Sequence, residues 1–451
     1  MTDLLKLLHA DSPPTRIKVA VTDVDGILRG KYMQAAKVRK SLEEGFGFCN
    51  VIFGWDSNDR CYENGQVSGW HTGYPDARAT LDTATCRRIP WEEDLALVLA
   101  DFRNDQTGLR AVCPRTLLRG LCEQARELGY QARFGAEYEW FNFRETPQTL
   151  AAKQYHDPQP LTPGMFGYSL LRASQYSTYL RDIFEQLTAF SVPLEGLHTE
   201  TGPGVYEAAI QYSEALEAAD RAVLFKQGVK ELAHRHGIVA SFMAKWTSSL
   251  PGCSGHLHQS LWDAAGERNL FLDTSREHGY STLLEHYLAG ILHCLPHIMP
   301  MFAPTVNSYK RYVAGSWAAT SASWGYENRT TALRVIGLKT TAIRLENRVP
   351  GADANPYLAI AASLAAGLYG IRHQLKLVQP PVIGNAYEQP DRPPLPKNLG
   401  AAIEQMRNSP IASELFGTAF TDHFLRTREW EWEQFLAAVT DWELQRYFEL
   451  G

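Results

Sequence analysis

The stretch that decides the fold is Phe134–Phe143, FGAEYEWFNF, in which charged and apolar side chains alternate. Successive side chains of a β-strand point to opposite faces, so Glu137 and Glu139 would share one face. Residues 255–261 and 342–349 repeat the pattern, with polar residues two apart: His256, His258 and Ser260, then Arg344, Glu346 and Arg348. Three such strands predict a curved antiparallel sheet with one polar, concave face.

A solvent-exposed sheet face is the simpler interpretation of any one of these strands. Solvent faces are typically rich in Thr, Lys and Ser, whereas carboxylates, imidazoles and guanidinium groups recur on all three strands here. Such groups bind metal ions and phosphates. The three strands together therefore favour a binding site over a solvated face.

Carboxylates are the main part of this predicted site. Two more of them flank the loop 202–204, GPG, whose glycines let the backbone approach a ligand closely. In one cavity the carboxylates would repel one another unless two divalent cations were bound, with His256 completing a ligand shell. Oxygen-rich ligation favours Mg²⁺ or Mn²⁺. The carboxylates are Glu137, Glu139, Glu200, Glu207 and Glu346.

Arginines are concentrated in residues 307–348, next to the predicted metal site. Arginine is a forked donor that matches carboxylates and phosphates, so this group indicates polyanionic substrates. Salt bridges on the protein surface are the alternative interpretation. The group comprises Arg311, Arg329, Arg334, Arg344 and Arg348.

The composition is that of a soluble globular enzyme, with 451 residues, 45% hydrophobic and 21% charged. A net charge of -6 without a basic stripe argues against nucleic-acid and membrane partners. Seven cysteines without a CxxC pair indicate neither a disulfide framework nor a thiolate zinc site, which fits a cytoplasmic protein. The apolar run 354–371 is interpreted as a buried helix because Asn355 and Pro356 lie at its start.

Two domains are expected, at residues 1–110 and 111–451. The first has short strands, at 17–22, 27–33 and 95–100, and the second begins with a helix from Pro114 to near Gly129. A further helix is expected from Ser213 to His236, between a serine cap and a glycine stop. The proline-rich segment 380–396 is expected to be a surface loop.

One early motif, VTDVDGIL at 21–28, is similar to the nucleophile motif of haloacid-dehalogenase-type phosphatases. The later acidic metal motif that those enzymes need is absent from the sequence, so a β-hairpin turn at Asp25-Gly26 is the favoured interpretation. No GxxxxGK[ST] motif is present either, so any ATP chemistry must proceed without a P-loop.

Six ordered motifs give the chain a resemblance to glutamine synthetases of the bacterial class-I type and to their γ-glutamyl-amine ligase relatives. They are FGAEYEWF (134–141), HTETGPGVYE (198–207), FMAKW with GCSGHLHQSL (242–261), NSYKR (307–311), ENRTTALRV (327–335) and IRLENRVPGADANPYL (343–358). The resemblance covers nearly the whole chain. It implies an α+β fold, with a small β-grasp N-terminal domain and a catalytic sheet shaped as a funnel and backed by helices.

The resemblance also implies roles for individual residues. Two groups would each hold one metal ion: Glu139, Glu200 and Glu207, and Glu137, His256 and Glu346. Glutamate would be bound by Arg311, Arg348 and the backbone near Gly252, and Arg329 would contact the transferring phosphoryl group. ATP would be bound by His258, Ser260, Arg334 and Arg344. The family further implies two stacked hexameric rings, in which neighbouring subunits share active sites.

Departures from the family pattern concern the amine. Glutamine synthetases carry a catalytic Glu on a mobile flap, and Trp317 occupies that position here. Their DGSS loop, which helps bind ammonium from the neighbouring subunit, is reduced to Asp56 in a changed setting, Trp55–Asp59. The tyrosine that would be adenylylated after Lys397-Asn398-Leu399 is replaced by Gly400.

These departures favour a ligase that joins glutamate to an amine larger than ammonia, such as a polyamine, an alkylamine or an aromatic amine. Two alternatives stay open at this point. One is an ordinary glutamine synthetase, and the other is a relative that has lost catalysis and has a structural or sensory role. The amine itself is not specified by the sequence.

Overall fold

The computed structural model describes residues 3–8, 13–389 and 391–450, which form two β-sheets with helices packed around them. The strands are β1 Arg16–Thr22, β2 Leu28–Gln34, β3 Phe46–Cys49, β4 Asp76–Leu81, β5 Arg87–Arg88, β6 Leu95–Asp101, β7 Tyr130–Phe143, β8 Leu194–Thr199, β9 Val205–Ile210, β10 Ser213–Glu214, β11 Val239–Ser241, β12 Gly255–Asp263, β13 Trp324–Tyr326, β14 Leu333–Ile336 and β15 Arg344–Asn347. The helices are α1 Asp3–Leu8, α2 Ala35–Glu44, α3 Leu109–Val112, α4 Pro114–Glu127, α5 Pro147–Ala152, α6 Leu170–Gln175, α7 Ser177–Ala189, α8 Ala215–Arg235, α9 Thr282–Cys294, α10 Pro356–Arg372, α11 Leu399–Arg407, α12 Pro410–Phe416, α13 Thr418–Ala437 and α14 Asp441–Tyr447. The predicted α+β fold is confirmed.

The N-terminal sheet has the order β2-β1-β6-β4-β3, with β5 paired to β6. Strands β1 and β6 are parallel, and the other pairs are antiparallel. Every residue of β6 is buried, because Leu97 and Leu99 pack into the large core of the second sheet while Val98 and Ala100 pack into the N-terminal core. This central position explains why the sequence of β6 is a nearly continuous apolar run.

The second sheet has the order β13-β14-β15-β12-β7-β9-β8, and β10 and β11 also pair with β7. Its pairs are antiparallel except β13 with β14, which are parallel, so the purely antiparallel expectation is wrong at this edge. Strand β7 alternates as predicted: Ala136, Tyr138 and Trp140 are buried in the core, and Glu137 and Glu139 lie on the opposite face. Helices α4, α8 and α10 pack together on the core side.

Two local predictions need correction. The helix expected from Ser213 begins at Ala215, because Ser213 and Glu214 pair with β7 instead. The segment 380–396 is not simply a surface loop, since its described residues include Val382 and Leu395, each 4% exposed. Their backbone N–H groups donate to the carbonyls of Trp324 and Thr320 at 2.8 and 3.0 Å, which attaches the segment to the sheet edge.

The apolar run 354–371 forms the buried helix α10, as predicted. Asn355 caps its N-terminus by accepting from the Tyr357 N–H at 3.0 Å, and Pro356 occupies the first turn. Within the described ranges, no helix has the length and apolar character needed to cross a bilayer.

Candidate active site

A row of polar side chains crosses the second sheet, because strand register places them at opposed positions. His198 of β8 lies opposite Glu207 of β9, and Glu207 lies opposite Glu139 of β7. Glu137 of β7 lies opposite His256 of β12. Side chains opposed in this way have Cβ atoms only about 4.5 to 5.5 Å apart. On the far side the row continues through His258, Glu346 and Arg334.

A cavity of about 610 Å³ lies over this row. Every site residue predicted from the sequence lines it except Asp56 and Ser260. Residues distant in sequence, such as Glu139, Glu200 and Arg348, therefore meet at one place. The convergence required by the sequence argument is present in the structure.

The first cluster of metal-binding character consists of Glu137, His256 and Glu346. His256 Nδ1 lies 3.5 Å from Glu137 Oε1 and 3.4 Å from Glu346 Oε1. Burial, followed by the charge of Arg348, lowers the pKa of His256 to about 4, so its imidazole is neutral at pH 7. Neither of its buried ring nitrogens has a hydrogen-bond partner among the described residues. An unpaired neutral imidazole between two carboxylates fits a divalent cation.

Glu346 is the most deeply buried of the carboxylates, at 1% exposure. Its oxygens accept from Arg348 Nη1 at 2.6 Å and from Arg334 Nη1 at 3.1 Å. Burial alone would raise the pKa of Glu346, but the positive charge of Arg348 outweighs it, and the pKa is lowered to about 2. Glu346 is therefore ionised and fixed in position before any ligand binds.

The second cluster differs from the predicted group of Glu139, Glu200 and Glu207. The structure brings His198, Glu200 and Glu207 together, with ligand atoms within 4.8 Å of one another. Glu139 Oε2 instead accepts from the Ser254 N–H at 2.6 Å. Burial, followed by the hydrogen bond and charge of Glu137, raises the pKa of Glu207 to about 11. Such crowding of carboxylates also fits a cation.

Two buried arginines, Arg311 and Arg348, also line the cavity. Arg348 Nε donates to the Arg329 carbonyl at 3.2 Å, and Arg311 donates to the Val349 carbonyl. Gly252 lies against Arg311, where a Cβ would collide with the Arg311 side chain and the Ala244 carbonyl. The glycine therefore allows a close approach between this loop and a cationic wall suited to anions.

Ser260 lines a second cavity, of about 450 Å³, on the other side of His258 and Arg344. These two residues border both cavities, and Arg344 Nε donates to His258 Nδ1 at 3.2 Å. In the second cavity the Arg133 guanidinium lies 4.1 Å from the centre of the Trp262 ring. This stacked pair was not predicted, because Arg133 and Trp262 each lie one position outside the strands expected at 134–143 and 255–261, which are longer in the structure.

Asp56 lies outside both cavities, on a loop that is closed by pairing of Trp55 with Cys61. Its carboxylate accepts from the indole N–H of Trp430 at 3.1 Å. Arg29 connects this loop to the VTDVDGIL motif, since Arg29 Nε donates to Asp23 at 2.9 Å and Nη1 donates to Asp59 at 2.7 Å. The predicted hairpin of this motif is confirmed, and it anchors the loop that carries Asp56.

Aromatic groups surround the mouth of the first cavity. Trp317 is 59% exposed and has a left-handed backbone with φ of 61°, while its carbonyl accepts from Arg348 at 3.4 Å. Tyr168 stacks on His198 with ring centres 4.4 Å apart. Neither Tyr168 nor His198 was predicted as a site residue from the sequence. For His198 a signal was available, because it lies two residues before Glu200, on the strand β8 that was not recognised.

Comparisons with known proteins agree with this site. A family model described as glutamine synthetase, catalytic domain, matches residues 111–447. The chain is 50% identical to type-1 glutamine synthetase 2 of Dictyostelium discoideum, over 96% of this chain and 84% of that protein. It is 37% identical to glutamate–isopropylamine ligase of a Pseudomonas species, over 96% and 95% of the two chains. It is 38% identical to gamma-glutamylethanolamide synthetase of Streptomyces coelicolor, over 96% and 92%.

Among solved structures, a GmaS/ADP complex superposes with a TM-score of 0.86 at 26% identity, over 100% of both chains. The motifs, the fold and the clustered carboxylates, imidazoles and arginines thus lead to the same conclusion. The chain is a ligase of the glutamine synthetase family, which uses ATP and divalent metal ions.

Proposed function

We propose that the protein forms a γ-glutamyl amide from L-glutamate, ATP and an amine larger than ammonia. The observation that carries this proposal is the single cavity that is lined together by two carboxylate–imidazole clusters and by five arginines. Such a cavity can hold a dicarboxylic amino acid beside a polyphosphate. A structural or sensory role alone would not require this set of groups.

Glutamate would be bound by Arg311, Arg348 and the backbone at Gly252, with its γ-carboxylate directed toward Arg329. The γ-carboxylate would attack the terminal phosphorus of ATP, giving γ-glutamyl phosphate and ADP. An amine would then displace phosphate and lose a proton. Arg329 is exposed on the cavity wall and can move onto the phosphoryl oxygens.

The nucleotide would be bound by His258, Ser260, Arg334 and Arg344, which border the two adjoining cavities. The base would occupy the smaller cavity beside Arg133 and Trp262, and the phosphates would point toward Glu137 and Glu346. Bound Mg²⁺ or Mn²⁺ ions would neutralise phosphoryl oxygens as charge develops. The protein's part is to hold ionised ligands in place, as Arg348 does for Glu346.

The preference for a larger amine is inferred from Trp317. An ammonium ion must be deprotonated before it can attack, and an indole offers no base for that step. The exposed ring can instead cover an apolar substituent or stack on a second ammonium group. One relative is named as a ligase of glutamate and isopropylamine, and another as a synthetase of gamma-glutamylethanolamide. Both names agree with a preference for an organic amine.

Ordinary glutamine synthesis is the second candidate, and the 50% identity to a protein named as a glutamine synthetase favours it. In that case Trp317 would only shield the acyl phosphate from water, and Asp56 would deprotonate ammonium. The two candidates differ in which amine reacts fastest.

Asp56 is proposed to act in the cavity of a neighbouring subunit, because it lies outside the cavity of its own chain. We also propose two hexameric rings, and domains at residues 1–110 and 111–451. Strands β1 to β6 then belong to the first domain, and strands β7 to β15 to the second.

A panel assay tests the proposed function. Phosphate release is measured with glutamate, ATP and, in turn, ammonium, alkylamines, aromatic amines and diamines. The proposal expects an organic amine to give the highest kcat/KM. Ammonium as the best acceptor would support the second candidate, and no amine-dependent phosphate release would refute both.

A further inference from the structure

We infer that Tyr387 is a positioning residue for amine selection, which acts by holding the turn that carries Trp317. The inference rests on the proposed function, in which the indole of Trp317 covers the amine. Tyr387 lies in the short helical turn Ala386–Glu388, outside the cavity, and its hydroxyl donates to the Ala318 carbonyl at 3.2 Å. It therefore holds the backbone next to Trp317 without lining the cavity itself.

The turn around Trp317 has a conformation that needs support from outside. Gly315 and Trp317 both have a left-handed backbone, with φ of 81° and 61°. A residue with a β-carbon avoids this conformation, which persists only where surrounding contacts hold it. Ser316 closes the first half of the turn by donating to the carbonyls of Val313 and Arg311, at 2.6 and 3.1 Å. The carbonyls of the second half are left to be held by other segments.

Two side chains hold that second half, and they differ in their relation to the substrates. Arg348 Nη2 donates to the Trp317 carbonyl at 3.4 Å, which is long for a hydrogen bond. Arg348 is also proposed to bind glutamate, so a bound substrate competes for its donors. Tyr387 lies outside the cavity, and its bond to the Ala318 carbonyl is one for which no bound substrate competes.

Tyr387 can act as a fixed donor because its own segment is attached to the catalytic domain. The side-chain amide of Asn328 donates to the carbonyls of Val382 and Gly384, at 3.1 and 2.8 Å. The Val382 N–H is also bonded to the sheet edge. A hydrogen bond from a support that is already ordered adds little further loss of conformational freedom.

The same segment also contacts the loop that carries Arg329. The Ala386 N–H donates to Thr330 Oγ1 at 3.0 Å, and Thr330 follows Arg329 directly. One short piece of chain therefore contacts both the turn of Trp317 and the loop of the arginine that is proposed to contact the phosphoryl group. The hydroxyl of Tyr387 serves only the first of these, so its removal should change amine binding and leave the binding of ATP and glutamate as it was.

Tyr387→Phe tests this role, because it removes the hydroxyl and keeps the half-buried ring. One neutral hydrogen bond corresponds to about a 2- to 10-fold effect. For a short alkylamine, kcat/KM should fall by that factor relative to kcat/KM for ammonium, which does not need the indole. The loss should appear as a higher KM for the alkylamine, with unchanged KM for ATP and glutamate. In the Trp317→Ala background, Tyr387→Phe should not shift the amine preference any further.

Hydrogen exchange measured by mass spectrometry on the assembled protein tests the hold on the turn without any activity. Peptides that cover residues 312–319 should be protected in the wild type, because the N–H groups of Val313 and Ser316 are hydrogen-bonded within the turn. In Tyr387→Phe their exchange should be faster by about 2- to 10-fold. Tyr326→Phe is the matched control. Its hydroxyl pairs with that of Tyr280 at 2.9 Å, and it lines neither cavity, so exchange in 312–319 and the amine preference should stay unchanged.

The outcomes separate this inference from the proposed function. Wild-type exchange in 312–319 at the rate of an unstructured peptide would overturn the role of Tyr387, even if Tyr387→Phe fails to fold. Unchanged exchange in folded Tyr387→Phe would overturn it too. An equal shift in amine preference with and without Trp317 would show that the hydroxyl does not act through the indole. Ammonium as the best acceptor of the wild type would instead contradict the proposed amine preference, and the inference with it.

Discussion

Removing the indole of Trp317 should selectively lower the reaction with organic amines. The side chain is 59% exposed at the mouth of the cavity, so most of the ring is available to a substrate. Its carbonyl, not its ring, accepts from Arg348. Trp317→Ala therefore leaves that contact intact. Because Ala bears the same left-handed backbone strain as Trp, the substitution reports on the ring alone.

The size of the effect follows from the exposed area. A Trp side chain has up to about 250 Å² of surface that can be removed from water. At 59% exposure, about 150 Å² of Trp317 is accessible, and one face of the ring accounts for about half of that area. Covering about 75 Å² with an alkyl group stabilises the complex by about 2 kcal/mol at about 25 cal/mol per Å². That free energy corresponds to about a 30-fold change in kcat/KM.

The assay compares kcat/KM for ammonium with kcat/KM for a short alkylamine, in wild type and Trp317→Ala. The ratio should shift toward ammonium by about 30-fold. Trp317→Glu should go further, because a new general base typically contributes about 10²- to 10⁴-fold to the reaction of ammonium. Val313→Ala is the matched control, an exposed apolar residue on the same segment but outside the cavity, and should leave the ratio unchanged. An unchanged ratio in Trp317→Ala would refute the reasoning.

Three further predictions concern the metal ions, the neighbouring subunit and pH. Glu200→Gln should abolish ATP turnover while the melting temperature stays near that of wild type. Excess chelator should likewise abolish ATP turnover by the wild-type protein. Activity in either case would contradict metal dependence. The Asp56→Ala and Glu200→Gln proteins should each be inactive. If the two are mixed, dissociated and reassembled, the mixed oligomers should recover activity. Mixed oligomers that are proven to form but stay inactive would argue against a shared site. His423 is buried, neither of its ring nitrogens has a hydrogen-bond partner in the part of the chain that the structure describes, and burial lowers its pKa from 6.5 to about 4. Between pH 6.5 and 4 the unfolded chain therefore binds a proton that the folded chain does not. The free energy of unfolding falls as the pH is lowered through that window, by about 2 kcal/mol at pH 5. His423→Phe should remove this loss in denaturant titrations at pH 5 and 8, and an equal loss in both proteins would contradict it.

Much of the site could be predicted from sequence because a strand has a period of two residues. Once 134–143 is recognised as a strand, Glu137 and Glu139 must share a face, and the same holds for His256 with His258. The pattern is local, so no tertiary information is needed. Which strands become neighbours is a tertiary property, however, and only the pairing of β8 with β9 brings His198 to Glu207.

The errors have the same physical origin. A serine before an amphipathic run is a good helix cap, but Ser213 is held by β7, and pairing with another strand outweighs local preference. Proline-rich segments usually lie at the surface, yet Val382 and Leu395 gain backbone hydrogen bonds and burial at a sheet edge. Neither contact leaves a signal within the segment itself.

The attachment of Asp56 to Trp430 has a consequence for protein synthesis. The two residues are 374 positions apart, so at about 5 to 20 residues per second the ribosome needs about 20 to 75 s to travel from one to the other. During that interval the nascent chain holds the Asp56 loop, while the α13 residue that donates to Asp56 does not yet exist. The N-terminal sheet can form early, but the loop that carries Asp56 acquires its final support only when translation is nearly complete. A chain that ends before α13 would therefore keep its first sheet and lack a fixed Asp56.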